Sequence, residues 1–232
     1  MIRVPTTIGG IGKMDLYDEQ KEYWNRVAES KQFTTPFERN EFSRYVRNAD
    51  RILDVGCGYG RTLQELYLSG YTNLLGIDFS ASMIARGKQL YPHLDLKTLD
   101  NQTIDLPDSS VQAVILFAVL TCIVSNDEQL SLFREIRRVL KPSGILYIND
   151  FLLNHDERNL ARYEKYAEKY GTYGVFELPE GAVLRHHDLA WVKTLTEGFE
   201  PLQLEQVTYT TMNGNHSNGY YYFGKNIKPE NP

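Results

Sequence analysis

From Arg51 to Asp150 the chain alternates short apolar runs, closed by glycine or an acid, with stretches in which apolar residues recur at helical spacing. RILDV reads as a buried strand. Thr62, Leu63, Leu66 and Leu68 then mark a helix that Gly70 stops. LLGID is a second strand, and Ser80 is a candidate N-cap for a helix that runs to about Tyr91 and is closed by Pro92. LDLKTL and VQAVILFAVL read as third and fourth strands. SNDEQLSLFREIRRVLKPSG opens on a capping box, Ser125 with Glu128. It buries Phe133, Ile136 and Leu140, and ends at Pro142 and Gly144. GILYIND is a fifth strand. This alternation predicts an α/β fold: a Rossmann-like, doubly wound, mostly parallel sheet with helices on both faces.

Outside that block the rhythm changes. Residues 19–47 are mixed helical and aromatic, carrying Tyr23, Trp24, Val27, Phe33, Phe37, Phe42 and Tyr45. Residues 151–187 form a tyrosine-rich insertion with Tyr163, Tyr166 and Tyr170 at helical spacing. A helix is expected from Asp188 to about Glu197. LQLEQVTY and GYYYFG flank the loop TTMNGNHSN, as in an antiparallel hairpin at one sheet edge. The expected organisation is one domain over 1–232: a tail and aromatic helical lid (1–47), a core (48–150), a lid insertion (151–187), and a closing helix and hairpin (188–232).

Composition narrows the function. The 232 residues are 42% hydrophobic, enough for one sizeable core. A net charge of -5 and a pI near 5.6 oppose broad nucleic-acid binding, which needs a positive field. The cluster Arg134, Arg137, Arg138 and Lys141 reads as a solvated helix end. The longest apolar run, AVILFAVL, falls far short of the roughly 20 residues a membrane helix requires. No apolar run of signal-peptide length opens the chain. A soluble cytoplasmic protein without a membrane partner is expected. Cys57 and Cys122 are too few for a disulfide framework, lack zinc-site spacing and are read as reduced thiols. The fold would bring them near each other, but soft-metal capture usually wants more thiolates. No metal is expected.

The chemistry centres on ILDVGCGYGR. Gly56, Gly58 and Gly60 allow positive φ and the close approach of a ligand. The pattern is DxGxGxG, not the GxGxxG of dinucleotide sites, whose third glycine would fall on Arg61, and no GK[ST] follows to make a P-loop. Asp54 at the strand end suits a cationic or hydrogen-bond-donating ligand better than a pyrophosphate. Asp78, ending the next strand, is placed to accept both hydroxyls of a ribose.

Together ILDVGCGYGR, LLGIDFS, LDNQTIDLPDSSVQAVILFAVL and RVLKPSGILYI resemble the ordered motifs of class I S-adenosylmethionine-dependent methyltransferases. The resemblance covers roughly residues 45–150 well, and the closing helix and hairpin more loosely. VQAV departs from the FDxV with which the fourth strand begins in many relatives. The resemblance implies a seven-stranded sheet with an antiparallel last strand, and S-adenosylmethionine as the cofactor, leaving S-adenosylhomocysteine. It further implies that Asp54 supports the donor's methionine part, that Gly56, Cys57, Gly58 and Gly60 form the close backbone, and that Asp78 holds the ribose. Phe79 would lie against the adenine, Asp100 or Asn101 would meet its amino edge, and Phe117 would line the site.

Methyl transfer from a sulfonium needs alignment and dryness more than a fixed catalytic signature. A neutral acceptor still calls for a base. His187, with His186 second, precedes a helix N-terminus, whose dipole keeps an imidazole neutral. His155, which with Asp150 follows the fifth strand, and His216 in the hairpin loop are candidate substrate contacts. Tyr17, Tyr23, Trp24 and Phe33, with Tyr163, Tyr166, Tyr170 and Tyr173, form a candidate aromatic lid: Tyr23 toward the cofactor, Tyr166 and Tyr170 toward the substrate. The expected reaction is methylation of an O, N or S atom of a small molecule. The alternatives are an RNA or protein methyltransferase, or a non-catalytic protein that binds the cofactor or its product. The [ND]PP-aromatic motif of amino methylation on bases or amides is absent from the sequence. Oligomeric state, a homodimer included, stays open.

Overall fold

A computed structural model describes residues 7–8, 11–99, 103–211 and 214–228. After a short ladder, β1 (Thr7–Ile8) with β2 (Ile11–Gly12), come α1 (Lys13–Val27) and α2 (Arg39–Tyr45). The core follows as β3 (Ile52–Val55), α3 (Arg61–Leu68), β4 (Leu74–Asp78), α4 (Ala81–Leu90), β5 (Asp95–Thr98), β6 (Val111–Phe117), α5 (Asn126–Val139) and β7 (Leu140–Phe151). The remainder is α6 (Glu157–Tyr170), β8 (Val175–Glu177), β9 (Val183–Arg185), α7 (Leu189–Leu195), β10 (Phe199–Thr210) and β11 (His216–Asn226).

The main sheet has seven strands in the order β10-β11-β7-β6-β3-β4-β5. Strands β7, β6, β3, β4 and β5 are parallel, and the last strand, β11, runs antiparallel between β7 and β10. This is the doubly wound sheet the alternation predicts. All of β3 and β4 is buried, because helices cover both faces. On one face α5 and α7 set Phe133, Ile136, Val192 and Leu195 against Leu53, Leu146 and Ile148. On the other, Phe42, Leu63 and Leu66 pack on Ile52, Ile115, Tyr147 and Phe223. Strand order reverses between β3 and β6, so their carboxyl ends open a crevice at the switch point, where α/β sheets hold ligands.

Two elements differ from the sequence reading. Helix α5 stops at Val139, and β7 begins at once, through an irregular start in which Ser143 takes φ 59° and the register with β6 shifts between Val111 and Ala113. The insertion holds the β8–β9 ladder as well as a helix, pairing Val175 with Arg185 and Glu177 with Val183. Gly174 makes that possible. It sits at φ 91°, accepts a hydrogen bond from His186 N at 2.9 Å, and a Cβ there would meet His186 O at 2.3 Å. No helix among the described residues is long and apolar enough to cross a membrane.

Helix α1 and the α6–β9 segment meet above the crevice as a roof. Their seam mixes polar and apolar contacts: Gln20 Nε2 donates to Val183 O, Arg26 Nη2 to Glu180 O at 3.3 Å, Lys31 lies 3.6 Å from Glu180, and Leu16 packs against the cluster of Val124, Val175 and Val183. Each half is separately tied to the floor. Asn25 Oδ1 accepts from Ser80 Oγ at 2.8 Å, and Arg185 Nη1 donates to Val124 O at 2.8 Å.

Candidate functional site

The crevice is a cavity of roughly 670 Å³, within the size of small-molecule sites. Its floor is the turn after β3, where Gly56 and Gly58 take φ 73° and 55° and fold the backbone under the cavity. Asp54, Cys57, Asp78, Phe79 and Phe117 line it with them. Gly60 does not; at φ 84° it is the left-handed residue that starts α3. Asp100 and Asn101 lie outside the described residues.

The two floor acids are differently engaged. Asp78 accepts from Gly58 N and from Ser80 N, each at 2.8 Å, so it ties the glycine turn to the start of α4. Burial pushes its carboxyl up to about 6, against the pull of those two N–H groups. Asp54 is 1% exposed, and its Oδ1 is buried without a hydrogen-bond partner. Burial and the neighbouring Asp78 drive it up to about 8. A buried carboxylate with a spare acceptor beside the cavity is completed by a cation or a strong donor.

After β6, Thr121 and Cys122 line the cavity on a 3-10 turn. Asp150, fully buried at the end of β7, holds that turn by accepting from Thr121 N at 3.3 Å, while Phe151 N, next in β7, donates to its other oxygen at 2.8 Å. Gln129 does the same from α5. Its Nε2 donates to Ile123 O at 2.6 Å and Leu120 O at 3.1 Å, while its Oε1 accepts from Trp191 Nε1 at 2.7 Å. The sequence reading missed Gln129, because a glutamine inside a capped helix carries no signal of its distant partners. Replacing Gln129 by leucine is expected to cost about 2–4 kcal/mol, since carbonyls and an indole N–H are left buried and unpaired. Chemical denaturation checks it.

The predicted aromatic and histidine residues divide. Tyr17, Trp24, Phe33 and Tyr170 line the cavity, and the Tyr170 hydroxyl donates to Glu177 Oε1 at 2.7 Å. Tyr23 does not. It turns to the adjacent side of α1, 1% exposed, and accepts from Lys31 Nζ at 3.1 Å. Tyr166 is also off the lining, against Tyr170 at 6.4 Å between ring centroids. His155 and His216 are exposed and line a separate shallow pocket. His187 is buried behind the wall, with Nε2 2.8 Å from Gln129 Nε2, and burial first and Arg185 second lower it to about 3. That position suits a structural imidazole and gives no route to an acceptor. His186 lines the cavity. Among the described residues no three His, Cys, Asp or Glu side chains form a metal-holding group.

Residues 53–148 match the family described as a methyltransferase domain. Over 105 residues the chain is 27% identical to the eEF1A lysine and N-terminal methyltransferase of Mus musculus; this covers 44% of the chain but only 15% of that relative's length. Among solved structures, a SAM-dependent methyltransferase from Methanosarcina mazei superposes with a TM-score of 0.78 at 23% identity, over 84% of this chain and 99% of that one. The 1,6-didemethyltoxoflavin-N1-methyltransferase of Burkholderia thailandensis, solved with 1,6-didemethyltoxoflavin and S-adenosylhomocysteine, superposes with a TM-score of 0.65 at 10% identity, over 98% and 94%.

Proposed function

We propose that this chain, a class I S-adenosylmethionine-dependent methyltransferase by its fold and by the domain at residues 53–148, methylates a small-molecule acceptor held under its roof. The observation that carries the reading is the covered cavity. One continuous space runs from the glycine turn and Asp78 to a roof lined by Trp24, Tyr170 and Phe176, and its volume suits a donor and a compact acceptor together. The Burkholderia thailandensis enzyme of similar fold binds 1,6-didemethyltoxoflavin together with S-adenosylhomocysteine.

The floor fits the donor. Asp78 would hold the ribose hydroxyls with the lone pairs its two N–H partners leave free. Asp54, with its unpartnered Oδ1, would balance the positive charge of the methionine end, and Phe79 and Met83 would flank the adenine. When bound, S-adenosylmethionine supplies an activated methyl group for in-line displacement. The chain's own part is to seat the acceptor, to hold the turn after β6 in place through Asp150 and Gln129, and to keep water out with the roof. Two reduced thiols, Cys57 and Cys122, fit work in the cytoplasm.

Methylation of a protein is the second reading, supported by the curated relative named above. One experiment separates them. The protein is incubated with methyl-labelled S-adenosylmethionine and cell extract, and small molecules are then separated from macromolecules. Label is expected in a small-molecule product that separates from S-adenosylmethionine and does not form when the protein is left out; protein-dependent label confined to protein or RNA overturns the small-acceptor reading.

A further inference from the structure

The roof holds chemistry that donor binding leaves unused. Arg158 and Arg162 project from α6 and line the cavity beside Phe151, Phe176 and His186. The Arg162 guanidinium carbon lies 3.4 Å from the Phe176 ring centroid, and its Nε is buried without a partner. Among the described residues no carboxylate forms an ion pair with it. The nearby acids are engaged: Asp156 caps α6 at Asn159 N and makes a loose, solvent-facing pair with Arg158 at 3.8 Å, Glu177 is held by Lys169 and Tyr170, and Glu180 by Lys31. A guanidinium keeps its charge even when half-buried, so this one lacks an anion.

His186 completes the wall, and hydrogen-bond accounting fixes its proton. Asn218 N donates to Asn154 Oδ1 at 2.8 Å, which orients the amide so that its Nδ2 is shared among Leu152 O at 3.0 Å, Ser217 Oγ at 3.1 Å and His186 Nδ1 at 3.2 Å. The Tyr163 hydroxyl already accepts from Asn154 N at 3.3 Å, so its own proton goes to His186 Nδ1 at 2.6 Å. With donors aimed at Nδ1, the ring's proton sits on Nε2. Burial, with Arg162 second, holds His186 well below the usual histidine range and keeps it neutral. His186 therefore offers an N–H, where the sequence reading expected a base.

We propose that Arg162, Arg158 and the Nε2–H of His186 form an oxyanion subsite, and that the acceptor carries a carboxylate or phosphate group seated there; this rests on the methyl-transfer reading above. The planar guanidinium, braced on Phe176, offers paired N–H groups to such an oxyanion.

The test uses the full chain saturated with S-adenosylhomocysteine and titrates benzoate, phenyl phosphate and the neutral benzamide calorimetrically. At least one anion is expected to bind ten or more times more tightly than benzamide, and which one does so tells carboxylate from phosphate. In Arg162→Met, which keeps an apolar stem over Phe176, that preference is expected to vanish. Equal binding of all three probes, binding of none, or a preference that survives in Arg162→Met overturns the subsite. The wild-type comparison stands even where the variant folds poorly. Failure of the wild type to bind S-adenosylhomocysteine overturns the donor reading instead.

Discussion

Asp78→Ala is expected to weaken S-adenosylhomocysteine binding by more than 100-fold while the protein stays folded. The carboxylate does two things at once. It accepts from Gly58 N and Ser80 N, which shapes the glycine turn, and it faces the cavity with acceptor capacity left for a ribose diol. Hydrogen bonds to a charged group contribute about 1.5–3 kcal/mol each, so two lost from the ligand amount to about 3–6 kcal/mol, beyond a 100-fold change in affinity. The sheet core does not depend on Asp78, since the apolar clusters on the two faces of the sheet are built without it. Asp78→Asn keeps one acceptor oxygen and should lose less. Calorimetric titration with a melting curve for each variant decides it; an alanine variant binding within threefold of wild type would remove Asp78 from the donor site.

Asp54→Asn should move stability and binding in opposite directions. A buried carboxyl raised from 3.8 to about 8 favours its protonated form in the folded protein. Its contribution to stability is full below about pH 4 and is lost as pH rises through 8. Asp78 and Asp150, raised to about 6 and about 7, share that sign, so some slope persists in the variant. The difference between wild type and Asp54→Asn isolates Asp54. It should be near zero at pH 4 and grow toward an upper bound on the order of 5 kcal/mol at pH 9. A ligand bearing a positive charge near Asp54 offsets the cost, so wild-type affinity for S-adenosylhomocysteine should rise between pH 6 and 8, by up to about tenfold per pH unit. The variant should bind more weakly and without that rise. Melting temperatures from pH 5 to 9, with and without ligand, give both curves. Parallel curves for the two proteins would show that Asp54 is not ionised by the ligand.

What was legible in the sequence follows from how local each signal is. The floor could be read because Asp54 lies two residues before Gly56, and Asp78 ends the strand that pairs with β3. The alternation of strand and helix then places both acids at the crevice. The roof was legible only as aromatic stretches. Which aromatic faces inward depends on the rotation of α1, so Trp24 lines the cavity and Tyr23 does not. Partners such as Gln129 with Trp191, or Tyr163 with His186, are made by tertiary packing alone. The helix-dipole argument for His187 failed on burial: the β7–β9 region pins it by a bridge to Leu152, away from any acceptor.

The seam of the roof bears on timing. Hydrogen bonds, an ion pair and the apolar contact of Leu16 join its halves, while each half is fastened to the floor on its own. Parting the seam separates Leu16 from Val175 and Val183 but leaves both faces of the sheet packed, so the opening is expected among the sub-global ones that hydrogen exchange detects before unfolding. Such an opening is the natural passage for a spent donor. Where the seam parts more slowly than the displacement beneath it proceeds, turnover follows the opening.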